Sequence, residues 1–337
     1  FGSRGHVSLP LPWAEPLRHL ARRPWRGGPG GPMPDAADVE SWPYWGVRLE
    51  PVDWNGIRTT AFKRQFVQRP DSEAPDAAEL RDRIGVKVDD HGGLRYLPAP
   101  AKSFEDLSGA LPPYALEGLR DSGTAAPRPL QAQTLPLSLC GCDVIGIARA
   151  GLGSGKLLAL LLPAIAHIEE QKPLEKSSRE ATPVALVLAP TRELVFSMQE
   201  EAAKVFKKSK EGRHSEGVWP VFVYSGGKKQ DQVRSLSWNT HIVIATPSRL
   251  VDFVANKVVS LQRVTYLAVA EADRLLAAGF RDDMQSLAGR IRPDRQVLLL
   301  SSTWSSQLQE LARHLAHKGS PGFVRVSVAL PADRAAS

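Results

Sequence analysis

Cysteine is nearly absent from the 337 residues, with only Cys140 and Cys142 present. Two cysteines one residue apart build no disulfide framework, and their spacing suits no zinc site without further ligands. They read as small buried residues of a chain kept in a reducing compartment. Long apolar runs are missing too. The longest, around 157–168 and 264–270, fall far short of a membrane span, so no membrane is expected as a partner. No hydrophobic signal segment is present. Acidic charge is in deficit: 43 Lys and Arg face 36 Asp and Glu, a net +7 with pI near 9.5. That balance fits a polyanion partner. Most of the excess is local, because residues 1–30 hold Arg4, Arg18, Arg22, Arg23 and Arg26 against Glu15 alone.

With 42% hydrophobic residues, the chain can bury one large core or two small ones. It begins with Phe1 rather than Met, and a fragment is expected at that end. Residues 1–40, with Gly27-Gly28-Pro29-Gly30-Gly31-Pro32, read as a disordered basic tail whose arginines either touch RNA or only solvate it. Residues 41–100 hold Trp42, Trp45, Trp54 and a polar, helical-looking piece at 71–84. They read as an arm whose aromatic residues dock it on the main domain rather than stack bases. The main domain is expected at 101–330, with a short tail at 331–337.

Within that domain Val144-Ile145-Gly146-Ile147 reads as a buried strand and Leu157-Leu158-Ala159-Leu160-Leu161-Leu162 as the start of a buried helix. Between them lies Ala150-Gly151-Leu152-Gly153-Ser154-Gly155-Lys156. A glycine turn opening a helix with Gly-Lys is the setting of a phosphate-binding loop. Backbone N–H groups and the helix N-terminus attract the anion, and the lysine reaches its outer phosphates. Taken alone, the stretch is also compatible with a glycine-rich turn that binds nothing. More strands follow: Val184–Ala189, Val221–Tyr224, His241–Ala245, Leu267–Val269 and Gln296–Leu300. Helical stretches open at 113–121, after Pro129, and from 190 to about 207. Short apolar strands alternating with helices imply a mostly parallel sheet with helices on both faces. The polar signals fall just after the strands, on the edge where open α/β sheets bind ligands.

Those signals resemble the motifs of DEAD-box ATP-dependent RNA helicases. Gly153-Ser154-Gly155-Lys156 resembles motif I, and Pro190-Thr191-Arg192-Glu193-Leu194 motif Ia. Gly226-Gly227 resembles the GG doublet, and Thr246-Pro247-Ser248-Arg249-Leu250 motif Ib. Glu271-Ala272-Asp273 resembles part of the DEAD motif, and Ser301-Ser302-Thr303 the SAT motif, with Trp304 pointing to the branch that reads SATW. Pro127 through Gln131 resembles the Q motif, with Phe104 as its upstream aromatic. The fold this implies is the first RecA-like lobe, a P-loop α/β domain preceded by a largely irregular arm.

The resemblance implies ATP and Mg²⁺ as cofactors and RNA, gripped by its backbone without sequence preference, as partner. By position, Phe104 would stack the adenine and Gln131 bond its edge. Gly153, Ser154, Gly155, Lys156 and Leu157 would line the phosphates. Glu271 would orient the attacking water, Lys156 hold the transferred phosphate, and Asp273 link ATP to the coupling residues Ser301 and Thr303. Thr191, Arg192, Gly226, Gly227, Thr246 and Arg249 would hold the RNA. No residue is assigned as a metal ligand, because Leu157 stands where the family has Ser or Thr and Ala270 where it has the first Asp. Mg²⁺ binding is therefore expected to be weakened. Gly151-Leu152 looks like a two-residue insertion, and Thr124 and Arg128 depart from the Q motif. The second lobe with its arginine fingers is not in these residues, so the chain alone is not expected to unwind a duplex.

The main reading is an ATP-dependent RNA helicase represented by its first lobe. A catalytically inactive RNA-binding or scaffold protein is the alternative, and a nucleotide switch unrelated to RNA is a third. A monomer, protein partners in ribonucleoprotein complexes, and a nuclear or cytoplasmic location complete the expectations.

Overall fold

The computed structural model describes residues 39, 49–55, 57, 59, 61–149, 155–172, 180–237, 239–316 and 322–329. Apart from Val39, the tail at 1–40 lies outside them. So do Trp42, Trp45, residues 150–154 and the tail at 331–337. Nine helices longer than six residues and eight strands can be traced in chain order among the described residues, with one six-residue helix besides. The first part holds α1 (Ala77–Ile84), β1 (Val86–His91), α2 (Pro113–Asp121), α3 (Pro129–Leu139), β2 (Asp143–Ile147) and α4 (Gly155–Glu170). Then come β3 (Ala185–Leu188), α5 (Arg192–Phe206), β4 (Trp219–Val223), α6 (Lys229–Ser235), β5 (Thr240–Ala245) and α7 (Pro247–Ala255). The last part holds β6 (Tyr266–Val269), α8 (Ala272–Ala277), α9 (Arg281–Ala288), β7 (Gln296–Ser301), α10 (Ser306–Leu315) and β8 (Phe323–Val328).

The strands form one sheet in the order β1-β8-β2-β7-β6-β3-β5-β4. Every pair is parallel except β1 with β8. Alternation explains why both faces are covered. Val144, Ala185, Val187, Ile242, Ile244, Ala268, Leu298 and Leu300 point into one core. Ile145, Leu186, Leu188, Val243, Leu267, Val269, Val297 and Leu299 point into the other. Apolar residues at every position thus serve two cores, which is why these strands read as unbroken runs. Gly146 permits one close contact: a Cβ there would come 2.6 Å from the Leu300 side chain and 3.1 Å from Leu130 on α3.

Sequence reading misses β1 and β8. Both lie at one side of the sheet, and β1 is charged (Val-Lys-Val-Asp-Asp-His). The arm thus contributes an edge strand. Of the arm's tryptophans only Trp54 is described, and it is half-buried. The Phe66 ring meets His167 edge-on at 5.0 Å, and Phe62 lies 5.7 Å from the same imidazole. Arg64 pairs with Asp143 at 2.6 Å and donates to the Gly141 carbonyl. Asp143 in turn accepts from the Val297 amide. Further up the arm, the Val52 amide donates to the Gly289 carbonyl at the end of α9.

Three histidines are buried in the described fold. His167 bridges Thr265 and Gln296, at 3.0 and 2.7 Å. His241 and His214 face each other at 3.2 Å. Burial pushes His167 down to about 4 and His241 to about 3, the latter aided by the neighbouring His214. Both fold as neutral rings, whereas in the unfolded chain they protonate near pH 6.5. Below that pH the unfolded state takes up protons the folded state refuses. Stability is therefore full above about pH 6.5 and falls by about 1.4 kcal/mol per pH unit for each ring as pH drops toward the folded values. Urea unfolding between pH 7.5 and 5 should show that slope, and His167→Gln should remove about half of it. A flat profile would contradict the neutral buried pair.

A second prediction concerns Lys229 and Asp252, which join α6 to α7 at 2.9 Å with side chains 0% and 4% exposed. Removing one partner strands a charge in the core. Lys229→Met should cost about 3–5 kcal/mol in chemical denaturation.

Candidate functional site

The parallel strands end on one line, and backbone bonds continue past their ends. The Ala148 amide donates to Ser301, Ala189 to Ala245, Thr246 to Val223 and Ala270 to Leu188. The residues that follow the strands therefore share one edge. They divide by strand. Lys156, Glu271, Asp273 and Ser301–Thr303 follow β2, β6 and β7, which are neighbours in the sheet. Thr191, Arg192, Gly226, Gly227, Thr246 and Arg249 follow β3, β4 and β5, the adjacent group.

In the first group Lys156 opens α4 and its Nζ donates to the Ala148 carbonyl at 2.6 Å and the Arg149 carbonyl at 3.3 Å. Partial burial lowers its pKa, while the charges of Glu271 and Asp273 act to raise it. The three groups are thus electrostatic neighbours. Burial pushes the Asp273 carboxyl up. The hydroxyl and amide of Ser302 outweigh burial and hold it below the ordinary carboxylate range. Ser302, which the sequence passes over in favour of Ser301 and Thr303, thus makes the largest contact with Asp273, with a smaller one from the Ser301 hydroxyl. The Ser301 hydroxyl also donates to the Thr303 carbonyl at 2.9 Å. Glu271 caps α8 in the left-handed region, φ 48° and ψ 53°, and its carboxylate accepts from Arg274 at 2.8 Å.

Gly153 and Ser154 lie outside the described residues. Gln131 is buried, its Nε2 donating to the Gly155 carbonyl at 2.6 Å and its Oε1 accepting from the Arg128 amide at 2.7 Å. It ties α3 to the opening of α4. Phe104, expected to stack an adenine, is 2% exposed among Leu107, Leu111 and Leu130. Packed in that core, its ring has no open face in this structure.

In the second group Thr191 and Arg192 are exposed. The Thr191 hydroxyl caps α5 by accepting from the Leu194 amide at 3.2 Å. Arg192 donates to Glu193 at 2.8 Å, which raises the guanidinium pKa, with a smaller contribution from Tyr224. It also lies against the glycine turn, since a Cβ on Gly226 would sit 3.5 Å from its Nη1. Gly226 has φ 87°, and Gly227 has no room for a side chain beside Gln232 and Tyr224. Arg249 and Thr246 depart from the expected RNA contacts. Arg249 is 2% exposed and donates to the Gly227 carbonyl at 3.1 Å. The buried Thr246 hydroxyl accepts from the Ser225 amide at 3.1 Å. Both hold the glycine turn from beneath, and the surface they support is Thr191, Arg192 and Gly226.

The metal expected at this edge does not fit the residues present. Leu157 and Ala270 are buried in the same apolar core and offer no oxygen. Of the carboxylates that remain, Glu271 is held by Arg274 and Asp273 by Ser302. Among the described residues no three His, Cys, Asp or Glu cluster as a metal site. Elsewhere, burial raises the thiols of Cys140 and Cys142 to about 11 and about 12. No helix among the described residues is long and apolar enough to cross a membrane.

A parallel sheet carrying a helix-opening Gly-Lys and an acidic pair on one edge defines a RecA-like nucleotide lobe. Comparison with known proteins narrows that class. The DEAD/DEAH box helicase family model matches residues 128–311, more than half of the chain, and the chain belongs to that family. It is 38% identical over 269 residues to DEAD-box ATP-dependent RNA helicase 20 of Arabidopsis thaliana, covering 78% of this chain and 49% of the relative. To ATP-dependent RNA helicase DBP2 of Candida albicans it is 37% identical over 275 residues, covering 79% and 45%. The crystal structure of the yeast DEAD-box splicing factor Prp28 superposes with a TM-score of 0.66 at 26% identity, over 77% of this chain and 57% of that one. The chain thus spans about half the length of the curated relatives it matches.

Glu271 yields a prediction at this site. A non-glycine residue in the left-handed region is strained by about 1 kcal/mol. Glu271→Gly should stabilise the fold by about 0.5–1 kcal/mol in denaturant titration, since the Arg274 pair it loses is largely exposed. A net loss of stability would show that the pair outweighs the strain.

Proposed function

We propose that this chain is the ATP-binding lobe of a DEAD-box-type ATP-dependent RNA helicase, in which ATP hydrolysis is coupled to RNA binding and unwinding. The observation that carries the proposal is the convergence of Lys156, Glu271 and Asp273 beside Thr191, Arg192 and Gly226 on one sheet edge. ATP would supply the phosphoanhydride whose cleavage drives the cycle. Lys156, now resting on backbone carbonyls, is placed to turn to a phosphate, with the N-terminus of α4 adding positive potential. Glu271 would position water, and Asp273 would report on it through Ser302. RNA phosphates would meet Arg192, the exposed turn amides and the α5 N-terminus, giving affinity without sequence preference. A monomeric state, protein partners in ribonucleoprotein complexes and a nuclear or cytoplasmic location rest on the family resemblance alone.

Leu157 and Ala270 favour a second reading. With both metal-anchoring positions apolar, the lobe would bind RNA as a scaffold and hydrolyse little ATP. Titrating a fluorescent ATP analogue, with and without Mg²⁺, and measuring RNA-stimulated ATP turnover together separate the two. Under the helicase reading the parent chain binds the analogue, and Lys156→Ala weakens it by about 10–100-fold, the worth of a charged contact. Given the lost anchors, that binding should be nearly indifferent to Mg²⁺. The double variant Leu157→Thr, Ala270→Asp should make it Mg²⁺-dependent. An absence of nucleotide binding would leave only the scaffold reading. RNA-stimulated turnover by the parent, lost in Glu271→Gln, would sink the scaffold reading.

A further inference from the structure

The exposed face beside the glycine turn carries two aromatic rings that the backbone contacts do not use. Phe196 lies one helical turn beyond Arg192 on α5 and is 41% exposed, one of three large apolar residues so exposed among those described. Its ring meets Tyr224 edge to face, with centroids 4.9 Å apart and planes at 73°. Tyr224 immediately precedes the glycine turn. Its backbone is clamped by Gln232, which accepts from the Tyr224 amide at 2.9 Å and donates to its carbonyl at 3.0 Å. The Tyr224 ring also packs over Gly227, where an added Cβ would come within 2.7 Å of it. The phenol is thereby fixed at the floor, and it holds the Phe196 ring against the end of the phosphate-facing turn.

We infer that Phe196, braced by Tyr224, is a stacking platform for one unpaired base of an RNA strand whose backbone lies on Arg192 and Gly226. The inference rests on the RNA-binding reading given above. Three observations select a base as the occupant. The rings adjoin the proposed backbone track, so a strand held there has bases within reach of them. Glu200 flanks Phe196 on the exposed side of α5 away from Arg192, which disfavours a phosphate beside the ring and leaves that spot to a neutral aromatic face. Finally, two rings make a patch far smaller than the roughly 800 Å² per partner of a stable protein interface, yet one ring matches one base. Stacking of this kind tolerates any base, in keeping with backbone recognition.

The test compares the full chain with its Phe196→Ala, Phe196→Trp and Arg192→Ala variants. Two single-stranded RNAs of equal length and charge are used, one of uridines and one abasic at every position. Phe196 packs at the surface, so its variants should fold, which circular dichroism checks. Phe196→Ala should weaken uridine RNA by about 5–100-fold, the worth of one stacked base, and leave the abasic strand unchanged. Phe196→Trp should restore the preference for bases. Arg192→Ala should weaken both strands alike. Equal binding of the two strands by the parent, or uridine RNA unaffected by Phe196→Ala, would overturn the platform while leaving backbone binding intact. No binding of either strand by the parent would overturn the RNA reading itself and the platform with it.

Discussion

The parallel register of six strands is the constraint on which the rest depends. Because β2, β7, β6, β3, β5 and β4 run the same way and end level, the residues after each strand share one edge. Hydrogen bonds past the strand ends, such as Ala148 to Ser301 and Ala270 to Leu188, fix that edge as firmly as the sheet itself. Strand order then sorts the chemistry. β2, β7 and β6 bring up the lysine, the acidic pair and the serine that grips Asp273, while β3, β5 and β4 bring up the capped helix and the glycine turn. Residues more than a hundred positions apart, such as Lys156 and Asp273, thereby become neighbours.

The two apolar substitutions show how this edge trades chemistry against packing. Leu157 and Ala270 occupy positions where the family places an oxygen, and both are sealed into the core on the α4 side of the sheet. Burying a leucine side chain contributes about 1.5–3 kcal/mol, and neither side chain offers an oxygen to this edge. The strained backbone at Glu271 persists nonetheless, and so does the partial burial of Lys156.

Much of the fold was legible because fully buried strands leave an unmistakable run of apolar residues. Val184–Ala189 and His241–Ala245 could be read directly, and so could the helices opened by Thr191 and Pro129. β8 escaped because it alternates Val-Arg-Val-Ser-Val next to the edge, and β1 because an edge strand can be charged. The edge was legible from its motifs, but the division of labour within it was not. An arginine or threonine in a sequence reads as a contact with something outside. Only the fold reveals that Arg249 is spent on Gly227, Thr246 on Ser225 and Gln131 on Gly155. No sequence signal singled out Phe196 on α5, which the fold leaves 41% exposed against Tyr224.

Part of the arm, among the described residues, docks at the side opposite that edge, where the strands begin. Arg64 reaches Asp143 at the first residue of β2, and the Phe62 and Phe66 rings cover His167. His167 is bonded to Gln296 at the first residue of β7 and to Thr265 just before β6. Gln296 also donates to the Ser138 and Cys142 carbonyls, drawing α3 into the same network. A fully bonded polar cluster of this kind tolerates burial only while every member stays paired, so the aromatic cover that excludes water from it is part of the fold rather than an ornament on it. The cluster thus ties the arm and α3 to the starts of β2, β6 and β7.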